Sequence, residues 1–251
     1  MRLVHRVFAA AGAAALLSRS AACQLPGPAG PRLIGEGSRA LFIGNSYLYT
    51  RDIPGIVQAM ATSSGDQLAV ETIAGPDMAL IDHWNAGVAR AEIAKGGWEW
   101  VILQQKPSST AVNRDSLRLT TALFDADIRA VAGTTALFSA WPSAPRRADF
   151  DAAIAAYTAA ASAVGGKLLP VASGWLAAWA RDSSVQLYLD GLHPSAEGAY
   201  LSALIVYAKL LGKSSVGLPA TLRLRSGATL SIAPETAVTL QKSAAEVTPV
   251  P

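Results

Sequence analysis

The strongest constraint on the fold of this chain is an alternation. From residue 38 to about residue 212, short apolar runs bounded by glycine or polar residues trade places with longer stretches whose apolar residues recur at helical spacing. A short run with no polar face suits a strand covered on both sides, and a helix between strands returns the chain to start the next one in the same direction. The five expected strands are residues 41–43, 68–73, 100–103, 134–140 and 167–172. Helical character fills residues 52–64, 77–94 with Gly87 as a break, 115–131, 150–164, 174–181 and 195–211, where Gly212 is a natural stop. The expected fold class is therefore α/β, a three-layer α/β/α arrangement around a five-stranded parallel sheet. From about residue 216 a small hairpin turning at Ser226-Gly227 follows, then a closing helix opened by Pro234 and running to about residue 246.

Composition supports a packed core: 51% of the 251 residues are hydrophobic and only 16% are charged. The formal charge of +3 is misleading, because Arg2, Arg6 and Arg19 lie in the first 22 residues; beyond them 18 basic residues face 18 acidic ones. Such a balance offers no basic surface for a nucleic acid.

Residues 1–22 have the parts of an export signal: Arg2 and Arg6, an apolar stretch over residues 7–17, and the small residues Ser20-Ala21-Ala22. The rival reading of this segment is an alanine-rich buried helix. Cys23, the only cysteine, follows directly and resembles the lipidated cysteine of a bacterial lipobox, although Ser20 stands where an aliphatic residue is usual. Two destinations follow: membrane attachment through a lipidated Cys23 in the periplasm or outer membrane, or cleavage nearby and release. Residues 23–37, rich in proline and glycine, read as a flexible tether leading to a domain over residues 38–251. A single cysteine also excludes an intrachain disulfide.

Ligands of an open parallel sheet bind beyond the carboxyl ends of its strands. That rim collects Ser46 after the first strand, Gly75 after the second, Gln104 and Gln105 after the third and Trp141 after the fourth. A serine hydroxyl becomes a nucleophile when an imidazole takes its proton and a carboxylate fixes the imidazole. Past the leader the chain has only His83 and His193. His83 falls inside a helical stretch and reads as structural, whereas His193 sits in the loop Asp190-Gly191-Leu192-His193-Pro194, which carries base and carboxylate together. Two histidines do not make a transition-metal centre, so no metal and no cofactor are expected. Gly44-Asn45-Ser46 lacks the further glycines and the lysine of a phosphate-binding loop. The bland reading of Ser46 is a helix cap. Most tryptophans read as core; Trp141, at a strand end before Pro142, and Asn45 are candidates to line a substrate pocket.

The run Gly44-Asn45-Ser46 resembles the first motif of the SGNH, or GDSL-like, hydrolase superfamily, usually Gly-Asp-Ser, and Asp190-Gly191-Leu192-His193-Pro194 is similar to its last, Asp-x-x-His-Pro. The likeness spans about residues 38–212. It implies a flavodoxin-like sheet, a serine esterase acting through an acyl-enzyme, Ser46 as nucleophile, His193 as base and Asp190 as its partner. It further implies an oxyanion hole built from the backbone amides of Ser46 and Gly75. The third block departs from the family: where Gly-x-Asn-Asp supplies an asparagine donor, this chain has Gln104-Gln105-Lys106-Pro107. Gln104, less readily Gln105, is the candidate substitute. The substrate implied is a small-molecule, carbohydrate or lipid ester. Two rivals remain, a non-catalytic ligand-binding envelope protein of the same fold and an O-acyltransferase.

Overall fold

The structure is a computed structural model and describes residues 37–249. The expected export signal, Cys23 and all but the last residue of the expected tether lie outside those residues.

Five strands form one parallel sheet: β1 (Ser38–Gly44), β2 (Leu68–Ala74), β3 (Trp100–Leu103), β4 (Thr134–Phe138) and β5 (Lys167–Leu169). Their order is β2-β1-β3-β4-β5, the flavodoxin-like arrangement. The central strands explain the continuous apolar runs: Ala40 to Ile43, Val101 to Leu103 and Ala136 to Phe138 have no accessible surface. β2 forms an edge and tolerates the exposed Glu71.

Helices cover the sheet in two packed groups, one on each face. The first holds α2 (Ile53–Ser63), α7 (Val171–Arg181) and α8 (Ala196–Leu211), with α9 (Pro234–Val247) packed on α7 and α8. The second holds α3 (Leu80–Ala86), α4 (Val88–Ala94), α5 (Ala111–Ala130) and α6 (Phe150–Ala163). Because α9 covers the outer side of α8, α8 is buried nearly all round and carries no polar face. A short helix α1 (Ser46–Tyr49) follows β1, and an antiparallel hairpin of β6 (Thr221–Arg223) and β7 (Thr229–Ser231) precedes α9.

Local chemistry sets the boundaries. Asp52 caps α2 by accepting from the Gly55 amide at 3.0 Å, and Ser195 caps α8 by accepting from Gly198 at 3.0 Å. Gly87, at φ 76°, adopts the left-handed turn that divides the expected 77–94 helix into α3 and α4. The fifth strand is shorter than its apolar run, since Pro170 has no N–H to extend the ladder, and α7 starts at Val171 rather than at residue 174. Two elements had no periodic signal: α1, and a 3-10 segment at Ala144–Asp149, both too short to show one.

From β1 the chain runs outward to β2, then crosses back to β3 on the other side of β1. Connections leaving β1 and β3 therefore diverge, and a crevice opens beyond their carboxyl ends. Ser46 follows β1 and Gln104 follows β3 at that point.

Gly198 couples this frame to the loop that closes the crevice, because a Cβ there would lie 2.2 Å from the Leu187 carbonyl oxygen and 3.0 Å from the Trp175 ring. The backbone oxygen cannot step aside, so Gly198→Ala is expected to destabilise the fold by roughly 1–3 kcal/mol. A denaturant midpoint unchanged from that of the natural protein contradicts this packing.

Candidate active site

Ser46 opens α1, and its hydroxyl lies 3.0 Å from His193 Nε2. His193 Nδ1 lies 2.7 Å from Asp190 Oδ2. With the Nδ1 proton donated to the carboxylate, Nε2 keeps its lone pair for the serine proton. The other carboxylate oxygen, Asp190 Oδ1, accepts from the backbone N–H of His193 at 2.8 Å and of Leu192 at 2.9 Å. Hydrogen bonding to the His193 side chain and then to those amides holds the Asp190 carboxyl down at about 2. A depressed carboxyl contributes above its ordinary value and loses its effect only as pH falls through its folded value. Asp190 thus stays ionised at every pH above about 4. The sequence-identified trio is brought together in one place.

The turn that carries Ser46 is held at nearly every polar group. The Gly44 carbonyl accepts from His83 Nε2 at 2.7 Å and from the Gly75 N–H at 3.3 Å. The Asn45 N–H donates to Gln104 Oε1 at 2.9 Å. Asn45 Oδ1 caps α1 by accepting from the Tyr47 N–H at 3.2 Å, and its Nδ2 donates to the Met78 carbonyl at 3.1 Å. The Ser46 N–H is different, because the first position of a helix precedes every intrahelical acceptor.

Four expectations about individual side chains need correction. Gln104 is fully buried, its Oε1 taken by the Asn45 amide and its Nε2 donated to the Gln105 carbonyl at 2.7 Å, so it braces the turn before Ser46 and offers no exposed amide to a ligand. Gln105 is likewise committed, with Nε2 on Ser108 Oγ at 2.8 Å. Asn45 is 1% exposed and Trp141 is 0% exposed, so neither offers surface to a substrate. Gly75 keeps its amide at the rim, in the long bond to Gly44 described above.

Trp141 has a different task. Its ring stacks on Tyr47 at 4.9 Å and on Trp175 at 4.0 Å between centroids, and its Nε1 donates to the Leu192 carbonyl at 3.0 Å. Tyr47 in turn meets the His193 ring edge-on at 6.3 Å. Backbone bonds complete the support: Ala144 N–H to the Gly191 carbonyl at 2.8 Å and Leu189 N–H to the His193 carbonyl at 2.8 Å. Gly191 takes φ 83°, which a side chain would strain, and this sharp turn lets one carboxylate reach both neighbouring amides. An aromatic floor therefore fixes both the serine side and the histidine side of the site.

At the rim, Asp77 and Lys106 pair at 2.9 Å, both largely exposed. That hydrogen bond, then the Lys106 charge, lowers the Asp77 carboxyl from its ordinary value, with a smaller contribution from His193. Leu189 and Leu192 expose apolar surface on the loop carrying His193. No sequence signal marked Tyr47, Asp77 or Lys106; Asn45, a preferred N-cap residue before a helix, carried one.

Comparison with solved structures places this architecture. A protein from Slackia heliotrinireducens assigned to the SGNH hydrolases is 22% identical, covering 70% of this chain and 100% of its own, with a TM-score of 0.60. A DUF4886 family protein from Bacteroides uniformis is 16% identical over 86% of this chain and 97% of its own, TM-score 0.71. A lipase/acylhydrolase from Enterococcus faecalis is 13% identical over 70% of this chain and 96% of its own, TM-score 0.55. The fold is that of the SGNH hydrolases. No protein-family model and no curated protein sequence matches the chain. In this fold the hydrogen-bonded trio of Ser46, His193 and Asp190 sits at the switch point, while the side chains after β3 are drawn inward to brace the turn.

Replacing Trp141 by phenylalanine keeps a ring in the stack and removes the donor to Leu192. The expected cost is about 1 kcal/mol of stability. Substrate turnover should fall with KM little changed, as the histidine loop loosens; unchanged steady-state constants contradict the positioning role. Above about pH 4 the pH profile should show no Asp190 ionisation, which carboxyl NMR can follow.

Proposed function

We propose that the chain is a serine ester hydrolase. The observation that carries this reading is the relay Ser46 Oγ, His193 Nε2, His193 Nδ1 and Asp190 Oδ2, with bonds of 3.0 and 2.7 Å. Ser46 Oγ attacks the ester carbonyl as its proton passes to His193 Nε2. The tetrahedral oxyanion rests on the Ser46 and Gly75 N–H groups. Collapse expels the alcohol, which takes the proton from His193, and leaves an acyl group on Ser46. Water, deprotonated by the same imidazole, then attacks, and the acid departs as Ser46 regains its proton.

Two amide donors serve this oxyanion, since neither glutamine turns toward it. Loss of one donor from such a hole costs about 2.7–4 kcal/mol of transition-state stabilisation. Activated esters should therefore turn over much more readily than alkyl esters. Apolar Leu189 and Leu192 suit an acyl chain, and the Asp77–Lys106 pair suits a polar alcohol such as a sugar. An O-acylated carbohydrate is the substrate class we favour. It accords with a fold neighbour described as an acetylxylan esterase from Geobacillus stearothermophilus, 14% identical over 74% of this chain and 97% of its own, TM-score 0.52. Transfer of the acyl group to a sugar is the related outcome when an acceptor excludes water. The leader reading favours action outside the cytoplasm, either attached through a lipidated Cys23 or released.

A second reading, a ligand-binding protein without turnover, draws on the commitment of both glutamine amides to the protein interior. A fluorophosphonate probe separates the two. The ester hydrolase reading expects covalent labelling of the peptide bearing Ser46, and loss of both labelling and aryl-ester turnover in Ser46→Ala. Turnover that survives in Ser46→Ala, or a natural protein that neither labels nor turns over, overturns it.

A further inference from the structure

His83 stands outside the triad, yet it is the closest partner of the nucleophile turn. It lies on α3, is 2% exposed, and places Nε2 2.7 Å from the Gly44 carbonyl oxygen. A carbonyl only accepts, so His83 carries its proton on Nε2 and donates it. Burial lowers the pKa of the ring, which favours the neutral form, and in that form the bond fixes the tautomer.

The same oxygen is also the acceptor for the Gly75 N–H, at the long distance of 3.3 Å. Register explains the meeting: Gly44 pairs with Ala74 at the end of the β1–β2 ladder, so Gly75 follows where the ladder runs out. Gly44 is buried, and an unpaired carbonyl there would be costly. With no other donor, that oxygen would hold the Gly75 amide tightly. With His83 in place the oxygen already has its shorter bond, and the Gly75 amide is the more weakly held of its two donors.

We infer that His83 is a positioning residue that releases the Gly75 N–H for the oxyanion by serving as the principal donor to the Gly44 carbonyl. The inference rests on the ester hydrolase reading for its catalytic consequence. As charge develops on the substrate oxygen, the Gly75 amide exchanges a weak bond for a stronger one, and the buried carbonyl is not left bare. His83 itself touches neither substrate nor reacting atoms.

The test uses the mature protein with His83→Phe, which has no donor, and His83→Gln, whose amide restores one. Complete loss of an oxyanion donor lowers kcat by about 10²–10³. Withholding one donor should therefore lower kcat of His83→Phe by roughly 10- to 100-fold on an aryl ester, with KM nearly unchanged, and His83→Gln should recover most of the rate. A second readout needs no turnover: in ¹⁵N-glycine-labelled protein the Gly75 amide should exchange more slowly in His83→Phe than in the natural protein. Faster or unchanged Gly75 exchange overturns the inference, as does a kcat loss shared equally by both variants, or an effect confined to KM. Failure of the natural protein to turn over esters would overturn the hydrolase reading alone, because the exchange experiment still reports on His83.

Discussion

The 3.0 Å contact between Ser46 Oγ and His193 Nε2 joins residues 147 positions apart, and the rest of the molecule can be read as what makes it possible. A surface serine and a loop histidine lose conformational freedom when held in register, so each must be fixed independently before they meet. On the serine side, β1 lies inside the sheet between β2 and β3 and delivers the turn at its carboxyl end. On the histidine side, a loop pinned by Asp190, Ala144, Leu189 and Trp141 lies across the mouth. The stacked rings of Tyr47, Trp141 and Trp175 connect the two sides, so that movement of one disturbs the other.

Brace and catalyst compete for the same polar groups in this site. Asn45, Gln104 and Gln105 all have amides able to donate to an oxyanion, yet their buried positions require partners inside the protein, and an unmet buried amide is expensive. Asn45 and Gln104 spend their hydrogen bonds on the turn and its neighbours, and the Gln105 amide is held by Ser108 and Asn113. In the proposed hydrolase the consequence is a firmly held Ser46 with backbone donors only. Such a site depends more than usual on where its two amides point, and that makes the partners of the Gly44 carbonyl matter to the chemistry.

Much of this was legible in the residues. Continuous apolar runs identified the central strands because burial on both faces leaves no polar position, and Gly87, Asp52 and Ser195 marked helix ends by their own backbone and capping chemistry. The pairing of Asp190 with His193 was legible because both lie on one loop. What escaped was direction. Sequence shows that a glutamine follows β3, but not whether its amide turns outward or under the neighbouring turn, which depends on the close approach of Gly44 to Gln104. Trp141 was misplaced for the same reason: a ring at a strand end serves equally as a pocket wall or as a floor, and the stack beneath it involves residues distant in sequence. His83 reads as an ordinary buried histidine until the carbonyl it meets is known.

Acylation of Ser46 is the step on which the proposed hydrolysis turns, and a rapid chemical quench reads it out. The protein is mixed with an excess of p-nitrophenyl acetate, stopped in acid within the first turnover and digested for mass analysis. A burst of p-nitrophenol stoichiometric with the protein and an acetyl group on the peptide containing Ser46 are expected. Ester cleavage with no such adduct, or with the acetyl group on another residue, would contradict that step.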